Sequence, residues 1–143
     1  RQRPSIIYPA AAGKERNVME REEIFRIIES FGGAVYDRPF AEDPESVVLR
    51  HSDTRRWFGL YFRVPKRYFG EGEGSEFCLN VKCPPDLSAA LRQNYTAVWP
   101  AWHMNKAHWI TLRLHGDLPS AEAEQLLRLS YDMTDRPVPR GKS

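Results

Sequence analysis

Eleven consecutive residues, Trp99-Pro100-Ala101-Trp102-His103-Met104-Asn105-Lys106-Ala107-His108-Trp109, hold three tryptophans, two histidines and an Asn-Lys pair. Flat rings beside an amide and an ammonium suit an anionic ligand that carries rings of its own. The cation meets phosphate, and the ring stacks on a base or packs against a sugar. Imidazoles and thiols also suggest zinc, since His103 and His108, like Cys78 and Cys83, are each separated by four residues. In a regular strand that offset puts Cys78 and Cys83 on opposite faces, whereas structural zinc sites use closer pairs in converging turns. Glu20, Glu22, Glu23 and Glu29 lie near a helix start, where acids are ordinary dipole chemistry. No turn resembling a known nucleophile site surrounds either cysteine. No catalytic residue, metal site or cofactor is therefore expected, and the chain is read as a non-enzyme.

The positioning elements follow from periodicity. Ile24, Ile27, Ile28 and Phe31 mark an amphipathic helix over Glu20–Phe31, stopped by Gly32-Gly33. Val47–His51 and Trp57–Val64 form an antiparallel hairpin across a five-residue polar connection. Gly70 to Gly74 is a flexible turn, because its glutamates and the missing Lys-Ser/Thr pair exclude a phosphate cradle. Glu76–Cys83 and His108–Leu114 are further strands, with a short helix over Asp86–Asn94 between them. Tyr95–Lys106 reads as aromatic and irregular. Ser120–Thr134 is a second long helix, ended by Pro137 and Pro139. The order predicts an α+β fold: a compact two-layer domain, an antiparallel sheet of about four to six strands with helices packed on one face.

Strand alternation then assigns faces. Phe58, Leu60, Phe62 and Val64, with Phe77, Leu79, Val81 and Cys83 and with Ile110, Leu112 and Leu114, are expected to pack on the helices. The opposite parity collects Trp57, Gly59, Tyr61 and Arg63, then Cys78, Asn80 and Lys82, then Trp109, Thr111 and Arg113, with Arg50 beside them. That face mixes rings with guanidinium, ammonium and amide groups. A structural role is open too, since rings and basic stems also pack across strands and Tyr95–Lys106 could cover them.

The chain has 143 residues, a length for one domain, and two cysteines, too few for a disulfide scaffold. No stretch approaches a membrane span and no signal-peptide core opens the sequence, so a cytoplasmic location is expected. Residues 1–18 show no period and are read as an N-terminal extension or remnant. The domain is placed over 19–135, and 136–143 is a basic C-terminal tail. The net charge of +2 is uneven: residues 19–135 hold 14 basic and 18 acidic residues, while the two ends are basic. Bulk charge therefore argues against tight non-specific nucleic-acid binding. Locally, Arg50, Arg55, Arg56, Arg63, Lys66 and Arg67 face only Asp53 within 18 residues.

The Trp99–Trp109 stretch resembles the motif of the MmcQ/YjbR family, in which a Pro, a His-Met-Asn-Lys run and a His-Trp pair recur. Arg56-Trp57-Phe58 is similar to the family's Lys-Trp-Phe, Leu79-Asn80-Val81-Lys82 to its Leu-Asn-x-Lys, and Leu129-Ser130-Tyr131 to its final-helix Ser-Tyr. Arg56 departs by replacing Lys, which keeps charge and changes hydrogen-bond geometry. The resemblance covers about Met19–Thr134. It implies a YjbR/CyaY-like fold, related in shape to frataxin, and, through likeness to a double-wing fold, DNA binding. Mapped onto this chain, it points to Arg56, Trp57, Asn80, Lys82, Asn105, Lys106 and Trp109.

The expected function is thus non-enzymatic DNA binding of modest affinity by a monomer. The site is placed on Arg50, Arg55, Arg56, Trp57, Arg63, Asn80, Lys82, Asn105, Lys106, His108, Trp109 and Arg113. A small, anionic ligand held between Lys82, Asn105, Lys106 and His108 is the alternative, followed by frataxin-like metal binding. A flat or convex basic face would favour DNA, and a closed concavity a small ligand.

Overall fold

The computed structural model describes residues 17–135. In chain order the elements are β1 (Asn17–Val18), α1 (Arg21–Glu29), β2 (Ala34–Asp37), β3 (Val47–His51), β4 (Trp57–Pro65), a 3-10 turn (Lys66–Phe69), β5 (Ser75–Lys82), α2 (Pro85–Asn94), β6 (Val98–Pro100), β7 (Trp109–Arg113), β8 (His115–Gly116) and α3 (Ser120–Met133). Six strands form one antiparallel sheet in the order β2-β3-β4-β5-β7-β6, and β1 pairs with β8 in a small second ladder. The expected α+β architecture is present. Asn17–Val18, within the segment read as an extension, pairs with His115–Gly116. Residues 1–16 and 136–143, most of the extension and the whole tail, lie outside the described residues.

All three helices cover one face of the sheet. Ile24, Ile27 and Ile28 of α1, Leu91 of α2, and Ala123, Leu126 and Leu127 of α3 share a cluster with Leu49, Leu79, Val81, Ile110 and Leu112. The i, i+3, i+4 spacing of α1 is what brings its three isoleucines to one side. The assigned faces of β5 and β7 hold. That of β4 does not: Leu60, Phe62 and Val64 lie on the face away from the helices, while Phe58 and Tyr61 lie beneath them. The cause is a bulge. Arg50 pairs with Trp57 and Leu49 with Gly59, which leaves Phe58 as the extra residue. Phe58 and Gly59 share the helix face, and glycine is required there because a Cβ at position 59 would come within 2.7 Å of Leu49 Cδ1. Beyond the bulge the parity is reversed, so Gly59, Tyr61 and Arg63 leave the face to which alternation assigned them.

The second face is not bare. Val48, Leu60, Phe62, Val64, Phe69 and Cys78 form a second cluster, covered by Phe40, Tyr68, Trp99, Trp102 and Met104. Tyr68 sits 4.8 Å from Trp102 and 5.7 Å from Trp99 between ring centroids, and its hydroxyl donates to Pro100 O at 2.7 Å. The stretch read as irregular contains β6 and then crosses this face, so the Trp motif is partly a lid on a small core. Cys78 and Cys83 face opposite sides of the sheet, as their spacing predicts, and both are buried.

Candidate nucleic-acid-binding site

One end of the sheet gathers most of the motif. Arg50 of β3 pairs with Trp57 of β4, Lys82 of β5 pairs with Trp109 of β7, and Cys83 N donates to His108 O at 2.9 Å. Alternation against Leu49, Val81 and Ile110 puts Arg50, Lys82 and Trp109 on the face away from the helices, where Trp57 also packs. The result is a row across four adjacent strands: Arg50, Trp57, Lys82, Trp109. Cation and ring alternate along it. The Arg50 guanidinium stands 5.7 Å from the Trp57 ring centroid and is held by Asp37 at 3.0 Å.

Two connections flank the row. At the β3 and β4 end is the hairpin carrying Arg55 and Arg56, both exposed. Arg55 has φ 67°, and its N–H donates to His51 O at 3.0 Å. This is the left-handed region, which glycine adopts more easily than arginine. At the β7 end is the loop bearing Asn105, Lys106 and His108, all exposed. Asn105 shapes this turn: its Oδ1 accepts from Ala107 N at 2.8 Å and its O from Trp109 N at 2.9 Å. Among the described residues, Arg55, Arg56, Lys82 and Lys106 have no carboxylate within ion-pair distance.

Three residues assigned to the site stand elsewhere. Arg63 lies at the opposite end of the sheet, bound to Glu45 at 2.8 Å and lying over Phe77. Arg113 is at that same end, gripped by Glu76 at 2.7 Å and Glu71 at 2.8 Å above Phe69. The Glu76 and Glu71 carboxylates push its pKa up and tie the glycine-rich turn to the sheet. Asn80 is completely buried. Its Nδ2 donates to Trp102 O at 3.1 Å, its Oδ1 accepts from the Thr111 hydroxyl, and that hydroxyl accepts from Trp102 N at 2.9 Å. This closed ring of bonds anchors the aromatic lid, so Asn80 positions the loop and has no surface to offer a ligand.

Ser130 and His51 hold the row from beneath. The Ser130 hydroxyl donates to Phe58 O at 2.6 Å and accepts from Lys82 N at 2.8 Å. It thereby bridges β4 and β5 just beyond the Gly59–Val81 pair at which their ladder ends. His51, 1% exposed, bonds Thr134 Oγ1 at 2.8 Å and stacks on Tyr131 at 4.3 Å. The motif pointed to Ser130 as a residue of interest, and nothing in the sequence marked His51. Burial pushes the Cys83 thiol up to about 11 and raises that of Cys78 further, so neither is primed as a nucleophile. Among the described residues, no group of three or more His, Cys, Asp or Glu is placed to hold a metal ion.

Comparison with known proteins agrees with this architecture. Protein YyaQ of Bacillus subtilis is 35% identical over 118 residues, spanning 82% of this chain and 99% of its own length. Protein YjbR of Escherichia coli K12 is 38% identical over 64 residues, 45% of this chain and 54% of that protein. A crystal structure of a Pseudomonas syringae protein superposes with a TM-score of 0.75 at 32% identity, covering 81% of this chain and 99% of that one. The Deinococcus radiodurans protein DR2400 shares the fold, with a TM-score of 0.63 at 24% identity over 78% and 75% of the two chains. The YjbR family model matches residues 29–133, a span running from the end of α1 through the bulge, the row and its lid to the Ser130 bridge, and this chain is a member of the YjbR family.

Proposed function

We propose that this protein binds DNA, without catalysis, at the end of the sheet that carries Arg50, Trp57, Lys82 and Trp109. The observation that supports it is the alternating cation and ring row, flanked by Arg55-Arg56 on one side and Lys106 and His108 on the other. Phosphates are met by the ammonium and guanidinium groups, and the rings lie against sugar or base. Arg50 is ion-paired to Asp37, and among the described residues the cations with no carboxylate at ion-pair distance are Arg55, Arg56, Lys82 and Lys106. Arg63, Arg113 and Asn80 take no direct part.

Affinity is modest because few cations engage. Four phosphate contacts give a slope of about −3 to −4 in log K against log salt. The test is fluorescence anisotropy of labelled duplex and single-stranded DNA with the full chain over a salt series. Lys82→Ala and Lys106→Ala each reduce the salt slope by about 1, whereas Arg63→Ala leaves it unchanged. Absence of binding to either DNA form at low salt overturns the reading. A salt slope that neither lysine substitution reduces overturns the site.

A further inference from the structure

Trp109 stands apart from the other three tryptophans. Trp57 packs edge-on against Phe40 with centroids 6.1 Å apart, Trp99 packs on Phe69 at 5.1 Å, and Trp102 on Tyr68 at 4.8 Å. Trp99 also donates its indole N–H to Thr96 O at 2.8 Å. Trp109 is half-buried, belongs to neither hydrophobic cluster, and among the described residues has no ring partner and no indole hydrogen bond. Large rings with a polar edge ordinarily satisfy both their faces and their N–H when they are structural. This one sits unpartnered beside Lys82, at the rim of the proposed site.

We propose that Trp109 is a stacking platform for an unpaired base, so that the DNA bound here is single-stranded or contains unpaired nucleotides. The proposal rests on the DNA-binding reading above and narrows its substrate. In a duplex the faces of the bases are covered by their neighbours and only their edges reach a protein, whereas a single strand offers the faces themselves. The rim is built from strand ends and loops, and all three helices pack on the other face of the sheet, so no helix is presented to a major groove. Trp57 and Trp109 stand on strands two apart, roughly 10 Å, with Lys82 on the strand between. A strand lying across the row would place a base on the Trp109 ring and an adjacent phosphate near the Lys82 ammonium.

The experiment compares three labelled ligands of about 12 nucleotides, within the usual span of a single-strand site: a thymidine strand, an abasic strand with the same phosphates, and a duplex. The thymidine strand is expected to bind about tenfold more tightly than the abasic strand. Trp109→Ala removes that difference while leaving abasic binding unchanged, and Trp109→Phe retains most of it. Thermal melts of both variants report folding independently, and the ring lies outside both cores. Equal affinity for the two strands, tighter binding of the duplex, or equal weakening of both strands by Trp109→Ala overturns the proposal while DNA binding stands. Failure of all three ligands to bind overturns both.

Discussion

His51 is a histidine held where its charged form is unwelcome. The Thr134 hydroxyl is directed at Ser130 O at 2.8 Å, so the imidazole Nε2–H is the donor to Thr134. Burial lowers its pKa from the ordinary 6.5, against the opposing pull of Asp135, whose carboxylate is 3.9 Å from Nδ1, and of Asp53. Arg56 adds to the lowering. The sign follows from proton linkage. Below 6.5 the unfolded chain takes up a proton that the folded chain resists, so stability is fully present above that value and declines as pH falls toward the depressed folded pKa. Urea midpoints measured from about pH 7.5 to about pH 5.5 should fall in the native protein and stay flatter in His51→Gln. Glu45 and Glu71 act in a lower window. Arg63 and Arg113 hold these carboxyls below the usual 4.5, so their contribution is lost only under more acid conditions. A native profile as flat as that of the variant would show that His51 is free to protonate in the fold.

At the scale of elements, the bulge in β4 decides which side chains meet. Gly59 carries no side chain because Leu49, fully buried, already fills that space. Gly59→Ala forces Leu49 to move in a packed core and should cost about 1–3 kcal/mol, read as a lower denaturation midpoint with an unchanged slope. A neutral result would mean that the bulge relaxes to admit the methyl group. The same bulge explains which parts of the structure could be read from the sequence. Helices and long strands were legible because their periodicity is regular. In β5 and β7, strict alternation placed Leu79, Val81, Ile110 and Leu112 correctly. In β4 alternation fails after Phe58, and a bulge leaves no signal beyond a glycine that could equally mark other features. The four-residue β2 and three-residue β6 are too short to show a period, and β6 hides among aromatic residues. Asn80 illustrates the limit for the site. Its position in a lysine-bearing strand suggested ligand contact, whereas its bonds to Thr111 and Trp102 arise from partners distant in sequence. Lys82 and Trp109 come together because register aligns the end of β5 with the start of β7.

Across the whole molecule, the cations without an ion-pair partner and a group of glutamates lie at opposite ends of the strands. Arg55, Arg56, Lys82 and Lys106 occupy one end, with Asp37 and Asp53 beside it, while Glu45, Glu71, Glu73 and Glu76 lie at the other, where Arg63 and Arg113 are already paired. Lys82 and Glu76 lie six residues apart on β5, about 20 Å. That distance is within the screening length of about 30 Å at 10 mM salt and exceeds the roughly 8 Å at physiological ionic strength. The acidic end therefore repels approaching DNA only in dilute salt, although it touches nothing in the site. Neutralising the exposed acid of the glycine-rich turn, Glu73→Gln, should raise the association rate at about 10 mM salt and leave it unchanged at about 150 mM. Lys82→Ala should weaken binding at both, because it removes a contact and not only a distant field. Stopped-flow mixing at the two salt concentrations separates the effects. An acid-neutralised variant that gains equally in both would place the DNA near those glutamates, at the opposite end of the sheet from the row.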